Sequence, residues 1–313
     1  MRVVFFGMPG RLAGPALLAL LASPAEVVAV AVPGLPGAPP VAPAPAAPPP
    51  AGLIPLGDAL PPSPVAIAAA RGLPALALRS MGAPAVREAL ASYRPDLVCV
   101  ACWPWRIPPA LLAVPRLGFL NLHPSPLPEL RGPDPLFWAF QQGRERSAVT
   151  LHWMDAGLDT GPIAAQAPFE LPEGIGWTAA EERAAALGAS LLAELVPRLI
   201  AGELPRHPQP AGGSAQPAPE EADFAIDPAW PAARAFRFIR GTAAWGLPYR
   251  LRGGDPALRL GEALGYEPEG RLGAPLLLTD DTARIQMTPG VLIARLASLP
   301  AADQGATARD QPL

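Results

Sequence analysis

Val3-Val-Phe-Phe6, the turn Gly7-Met-Pro-Gly10, a helical pattern over residues 12–22 and Val27-Val-Ala-Val-Ala-Val32 together decide the fold of this chain. Each valine-rich run is short, continuous and apolar, the pattern of a strand covered on both faces. Two such strands joined through a helix make a βαβ unit with a parallel sheet. The turn is not a complete G-x-G-x-x-G and no acidic residue closes the second run, so it reads as a tight strand-to-helix connection. Residues 96–102 and 118–122 add further strands. Helical patterns at 64–71, 83–93 and 108–113 lie around and between them, which places the chain in the α/β class with a Rossmann-like sheet.

The strand at 118–122 breaks into Gly118-Phe-Leu-Asn-Leu-His-Pro-Ser-Pro-Leu-Pro-Glu-Leu-Arg-Gly132. Side chains two apart on a strand point to the same face, so Asn121 and His123 aim a hydrogen-bond donor and a titratable base at one point. That point lies at the carboxyl edge of a parallel sheet, where α/β proteins bind ligands. A second polar loop, Asp155-Ala-Gly-Leu-Asp-Thr-Gly161, follows an alternating strand at 148–154 and supplies Asp159 as a partner that would orient the imidazole and raise its basicity. His152 sits inside that strand pattern and reads as a packed or locally bonded side chain, and His207 as a solvated one. The aspartate loop lacks the alternating oxygen ligands of a calcium site, and the histidines lack zinc spacing, so no metal is expected.

Composition narrows the remaining choices. The chain has 313 residues, 46 prolines, 30 glycines, 16% charged residues and a formal net charge of −3, with arginine as its sole strongly basic residue. That length allows two domains, and the charge gives no overall pull toward nucleic acid or anionic membrane. Two cysteines are no disulfide framework, and there is neither a signal peptide nor an apolar span, so a cytoplasmic protein, monomeric and not bound to membrane, is expected. Residues 1–205 form the expected catalytic domain, with a Pro-rich loop at 33–64 that proline bars from regular structure. A linker at 206–222, a small β-barrel-like domain at 223–300 and a disordered tail at 301–313 follow.

Asn121-x-His123-x-Ser125-x-Leu127-Pro128-x-x-Arg131-Gly132, followed by Asp155-x-Gly-x-Asp159-Thr-Gly161, resembles the folate-dependent formyltransferase family over about residues 1–205. Asp223-Phe-Ala-Ile-Asp227, Arg237-Phe-Ile-Arg240 and Trp245-Gly-Leu-Pro248 resemble the start of the smaller, OB-like domain in members acting on methionyl-tRNA or sugar nucleotides. The resemblance implies 10-formyltetrahydrofolate as the formyl donor and a primary amine as acceptor. It implies Asn121, His123 and Asp159 as the catalytic trio, with protonated His123 and Asn121 stabilising the oxyanion. The implied folate contacts are Trp105, Arg106, Ile107, Ser125, Pro126, Leu127, Pro128, Asp155 and Leu158. Pro126 stands where the family has leucine and removes a backbone donor.

The acceptor implied first is the methionyl amine of initiator Met-tRNA. An amino sugar nucleotide is the alternative, because no basic residue occurs between Arg11 and Arg71, where the transfer-RNA enzymes carry a basic loop. Arg234, Arg237, Arg240, Arg250 and Arg252 are the candidates for a compensating basic stripe. A folate-binding protein without activity is the reading from another class, and the intact trio argues against it.

Overall fold

The computed structural model describes residues 1–44 and 62–297. The remainder of the Pro-rich loop and the expected tail lie outside the described residues. The chain divides into two compact units. The first comprises 1–139, 145–172 and 178–218, and the second 140–144, 173–177 and 219–313.

The first unit is built on strands β1 (Arg2–Gly7), β2 (Glu26–Pro33), β3 (Val41–Pro43), β4 (Ala75–Leu78), β5 (Leu97–Ala101), β6 (Gly118–His123), β7 (Arg146–Trp153) and β8 (Ile163–Glu170). They form one sheet in the order β3-β4-β2-β1-β5-β6-β7-β8. Strands β4, β2, β1, β5 and β6 run parallel, while β3, β7 and β8 are antiparallel to their neighbours. The winding reverses between β1 and β5, next to β6, the kind of switch point beyond whose carboxyl ends doubly wound sheets bind ligands. Helices α1 (Ala13–Ala22), α2 (Pro64–Ala70), α3 (Pro84–Ser92), α4 (Pro109–Leu112), α5 (Pro135–Gln141) and α6 (Trp177–Ile200) complete the order.

Every residue of β5 is buried, as a central parallel strand requires. One face packs Val3, Phe5, Cys99, Leu120 and Leu122 with α1 and α6. The other packs Val4, Phe6, Val98, Val100 and Phe119 with α3 and α4. By strand alternation Asn121 and His123 share this second face with Phe119. Phe119 is 1% exposed and meets Phe6 edge-on at 5.7 Å. Phe119→Ala is therefore expected to destabilise the first unit by about 3–5 kcal/mol, read from the urea midpoint at unchanged slope.

The Pro-rich loop departs from expectation in one place. Val41–Pro43 forms β3, pairing antiparallel with β4 at the sheet edge. An edge strand needs donors on one side only, so the missing N–H of Pro43 is tolerated there.

In the second unit, β11 (Leu260–Glu267), β12 (Leu276–Leu278), β13 (Thr282–Gln286) and β14 (Val291–Leu296) form an antiparallel sheet in the order β11-β14-β13-β12. Helix α7 (Ala232–Thr242) packs on β11 and β14, and β9 (Ala225–Ile226) pairs in parallel with β10 (Arg250–Leu251). Phe224, Phe238 and Tyr249 fill its core, where the Tyr249 hydroxyl bonds Thr242 Oγ1 at 2.7 Å and donates to the Ile239 carbonyl at 3.1 Å. The described strands thus make a four-stranded sheet and a two-stranded pair, joined by the antiparallel bridge between Tyr249 and Leu260.

Candidate functional site

The carboxyl end of β6 delivers Asn121 and His123 to one face, as their spacing requires. His123 is 6% exposed, and its Nε2 donates to the Leu130 carbonyl at 3.0 Å. That bond commits the Nε2 proton and leaves Nδ1 on the side of Asp159, 3.9 Å from Oδ2. Asp159 also lies 3.4 Å from Nε2 of His152 through Oδ1, and its Oδ2 accepts the Gly132 N–H at 2.8 Å. The carboxylate thus sits between two imidazoles and is nearer to His152 than to His123.

His152 is the residue the linear sequence undervalued. In the antiparallel register of β6 and β7 it stands directly opposite Asn121. Its Nδ1 donates to the Trp153 carbonyl at 3.2 Å, which makes Nε2 the acceptor for the Asn121 amide at 3.1 Å. His152 therefore orients Asn121 while bordering Asp159. Local bonding was the expectation; the contact with both polar partners of the site was not.

The charge of His123 also differs from expectation. Burial drives its pKa below the usual 6.5, the Asp159 carboxylate pulls it up, and His152 pushes it down again. Burial wins, so the ring is neutral at neutral pH and cannot serve as a standing cation. For Asp159, burial raises the pKa. The attraction of His123, the nearby His152 ring and the Gly132 N–H outweigh it, and the carboxyl is lowered to about 2. Asp159 stays ionised in any working pH range.

Two glycines let the loops close on the carboxylate. Gly132 has φ +102°, and a Cβ there would run into the Gln216 carbonyl. A Cβ on Gly161 would meet the Trp153 carbonyl. Asp159 itself is left-handed, φ 53°, a conformation aspartate tolerates better than most residues.

The expected folate contacts fall into two groups. Trp105 and Ile107 lie beyond β5 on the face that carries Phe119; Ile107 is buried, Trp105 packs edge-on to Trp103 at 5.7 Å, and Arg106 is exposed. Leu127 is buried, Pro126 and Pro128 are half-buried, and Asp155 and Leu158 are exposed. Ser125 is fully buried, with its hydroxyl donating to Glu129 and its carbonyl accepting from Thr150 Oγ1 at 2.6 Å. These bonds shape the loop. Asp155 Oδ1 accepts from Gly157 N and Thr160 Oγ1, which folds the aspartate loop on itself.

The five arginines of the expected basic stripe are all engaged. Arg237, Arg240, Arg250 and Arg252 pair with Glu173, Glu262, Glu221 and Asp227, and Arg234 stacks 3.9 Å over Trp230. Among the described residues no group of three or more His, Cys, Asp or Glu could hold a metal ion, and no helix is long and apolar enough to cross a membrane.

The profile of the formyl transferase family matches residues 44–196. The methionyl-tRNA formyltransferase of Chloroflexus aggregans is 35% identical over 240 residues, which cover 76% of this chain and 72% of the relative. That of Pelobacter propionicus is 33% identical over 241 residues, covering 76% and 75%. Among solved structures, the N-formyltransferase from Helicobacter canadensis, in complex with folinic acid and dTDP-3-aminofucose, shares the fold. Its TM-score is 0.64 at 14% identity, covering 94% of this chain and 98% of that one.

Proposed function

The chain belongs to the formyl transferase family, and on that premise we propose that it moves a formyl group from 10-formyltetrahydrofolate to a primary amine, the methionyl amine of initiator Met-tRNA. The observation that carries this reading is the convergence of Asn121, His123 and Asp159, with His152 behind them, at the carboxyl edge of the sheet.

The amine nitrogen attacks the formyl carbon, and negative charge develops on the formyl oxygen. The Asn121 amide donates to that oxygen, the kind of contact on which acyl transfer depends most. Neutral His123 takes the amine proton at Nδ1 and becomes cationic as the oxyanion forms. The Asp159 carboxylate stabilises that cation, and the proton then passes to the departing folate nitrogen. One N–C bond forms, one breaks, and one proton moves from acceptor to donor nitrogen. Trp105, Arg106 and Ile107 on one side and the loops at 125–128 and 155–158 on the other hold the folate, and no metal takes part.

The domain reading accompanies this assignment: a catalytic domain over 1–205, a linker at 206–222 and an OB-like domain at 223–300, in a monomeric cytoplasmic enzyme. The relatives' names support the Met-tRNA acceptor. A second acceptor, an amino sugar nucleotide, is favoured by the absence of any basic residue from 12 to 70 and by the paired arginines of the second unit. Supplying the donor with charged initiator tRNA and with amino sugar nucleotides separates the two. The main reading expects formyl-Met-tRNA, with the logarithm of the affinity falling linearly as the logarithm of salt rises. Transfer to the sugar amine alone would replace it with the second reading, and transfer to neither acceptor would remove both.

A further inference from the structure

We propose that Gln209 is a positioning residue: a single amide that locks the loop after His123 to the loop carrying Asp159. This rests on the reading of Asn121, His123 and Asp159 as the reacting trio.

Gln209 lies in the Pro-rich stretch after α6, which sequence composition marks as a linker. Its Nε2 donates to the carbonyls of Asp159 at 2.7 Å and Gly161 at 2.9 Å. Its Oε1 accepts from Arg131 Nη2 at 2.7 Å and Nε at 3.1 Å. Both donors and both lone pairs of the amide are used. The orientation is forced, because a guanidinium only donates and a carbonyl only accepts. One end of the amide therefore holds the backbone of the left-handed Asp159, and the other holds Arg131.

Arg131 is flanked by the two residues that touch the trio. Leu130 offers its carbonyl to His123 Nε2, and Gly132 gives its N–H to Asp159 Oδ2. The same stretch grips this loop again. Ser214 Oγ accepts the Leu130 N–H at 3.0 Å, and the backbones of Ser214 and Gln216 bond both sides of Arg131. The stretch is itself anchored, since Trp153 Nε1 donates to the Pro205 carbonyl and Trp138 Nε1 to that of Pro217. Its backbone pairs at His207 with Ile163. A segment fixed at both ends and bonded to both loops sets the distance between His123 and Asp159.

The test uses the full chain with Gln209→Ala and Gln209→Glu. Glutamate keeps the acceptor for Arg131 but turns the two donations into repulsion against carbonyl oxygens, so it is not expected to rescue. Both variants should lose about 10–100-fold in kcat, the scale of a small misplacement of reacting groups, with a much smaller change in donor KM. Three neighbours face His123: the Asp159 carboxylate, His152 and the Leu130 carbonyl. Retreat of the carboxylate removes the charge that raises the pKa of His123, so the acid limb of kcat/KM should move to lower pH. Hydrogen exchange at the Leu130 and Gly132 amides should accelerate, a readout that holds even if formyl transfer is not the reaction. Wild-type kcat in a folded variant would overturn the proposal. So would a loss that only tracks the folded fraction while the acid limb and amide exchange stay put. Should neither variant fold, Ser214→Ala carries the same expectations at smaller size, and unchanged kcat and exchange in it would overturn the proposal equally.

Discussion

His123→Ala is expected to lower kcat for formyl transfer by about 10²–10⁴-fold, the usual worth of a positioned general base. In the proposed reaction the amine proton goes to Nδ1 of this ring, which faces Asp159 Oδ2 at 3.9 Å. Removing it also leaves the Leu130 carbonyl without its donor, at a cost of about 1–3 kcal/mol, so a thermal melt must accompany the kinetics. The pH profile provides a second check. The folded pKa of His123 lies below 6.5, and the protonated ring cannot accept a proton. Wild-type kcat/KM should therefore fall as pH drops through that depressed value, and the alanine variant should lack this limb. An alanine variant with wild-type kcat would remove His123 from the reaction.

Asp159→Asn should cost on the order of 10²–10³ in kcat, because the charge that stabilises the newly formed imidazolium disappears. Asparagine can still accept the Gly132 N–H, so the loop is expected to keep its place. The acid limb should move to lower pH, since the charge that raises the His123 pKa is gone. Stability carries its own signature. Unfolded Asp159 titrates near 3.8 and the folded group near 2, so its contribution is complete above 3.8 and is lost as pH falls toward 2. His123, with a folded value below 6.5, costs stability as pH falls below 6.5, because the unfolded chain takes the proton first. The wild type should show both losses in urea titrations, and Asp159→Asn should lack the lower one. A variant with an unmoved acid limb would deny Asp159 its electrostatic role.

The legible parts of this chain are those that local pattern determines. Residues 3–32 spell out β1, α1 and β2 because continuous apolar runs and a glycine turn admit few alternatives. The shared face of Asn121 and His123 follows from strand alternation alone. Pairing between strands is another matter. Nothing in the sequence near His152 says that it will stand opposite Asn121, since the register is set by the packing of the whole β6–β7 pair. The depressed pKa of His123 was hidden for the same reason: burial is a tertiary property, and here it outweighs the carboxylate beside it. Val41–Pro43 was obscured by proline, which in a sheet is confined to edges, strand ends and bulges. Ala75–Leu78 is too short and alanine-rich to stand out. Gln209 lies in a stretch whose composition says linker, and only its four hydrogen bonds show that it belongs to the site.

The central claim is transfer to an amine, and following an isotopically labelled formyl group tests it most directly. Labelled 10-formyltetrahydrofolate, enzyme and initiator Met-tRNA are mixed, and label is counted on the acceptor and in free formate. The expected result is label on the methionyl amine, equal to the tetrahydrofolate produced, and its loss in His123→Ala. Label released as formate at the same rate with and without acceptor would contradict the account.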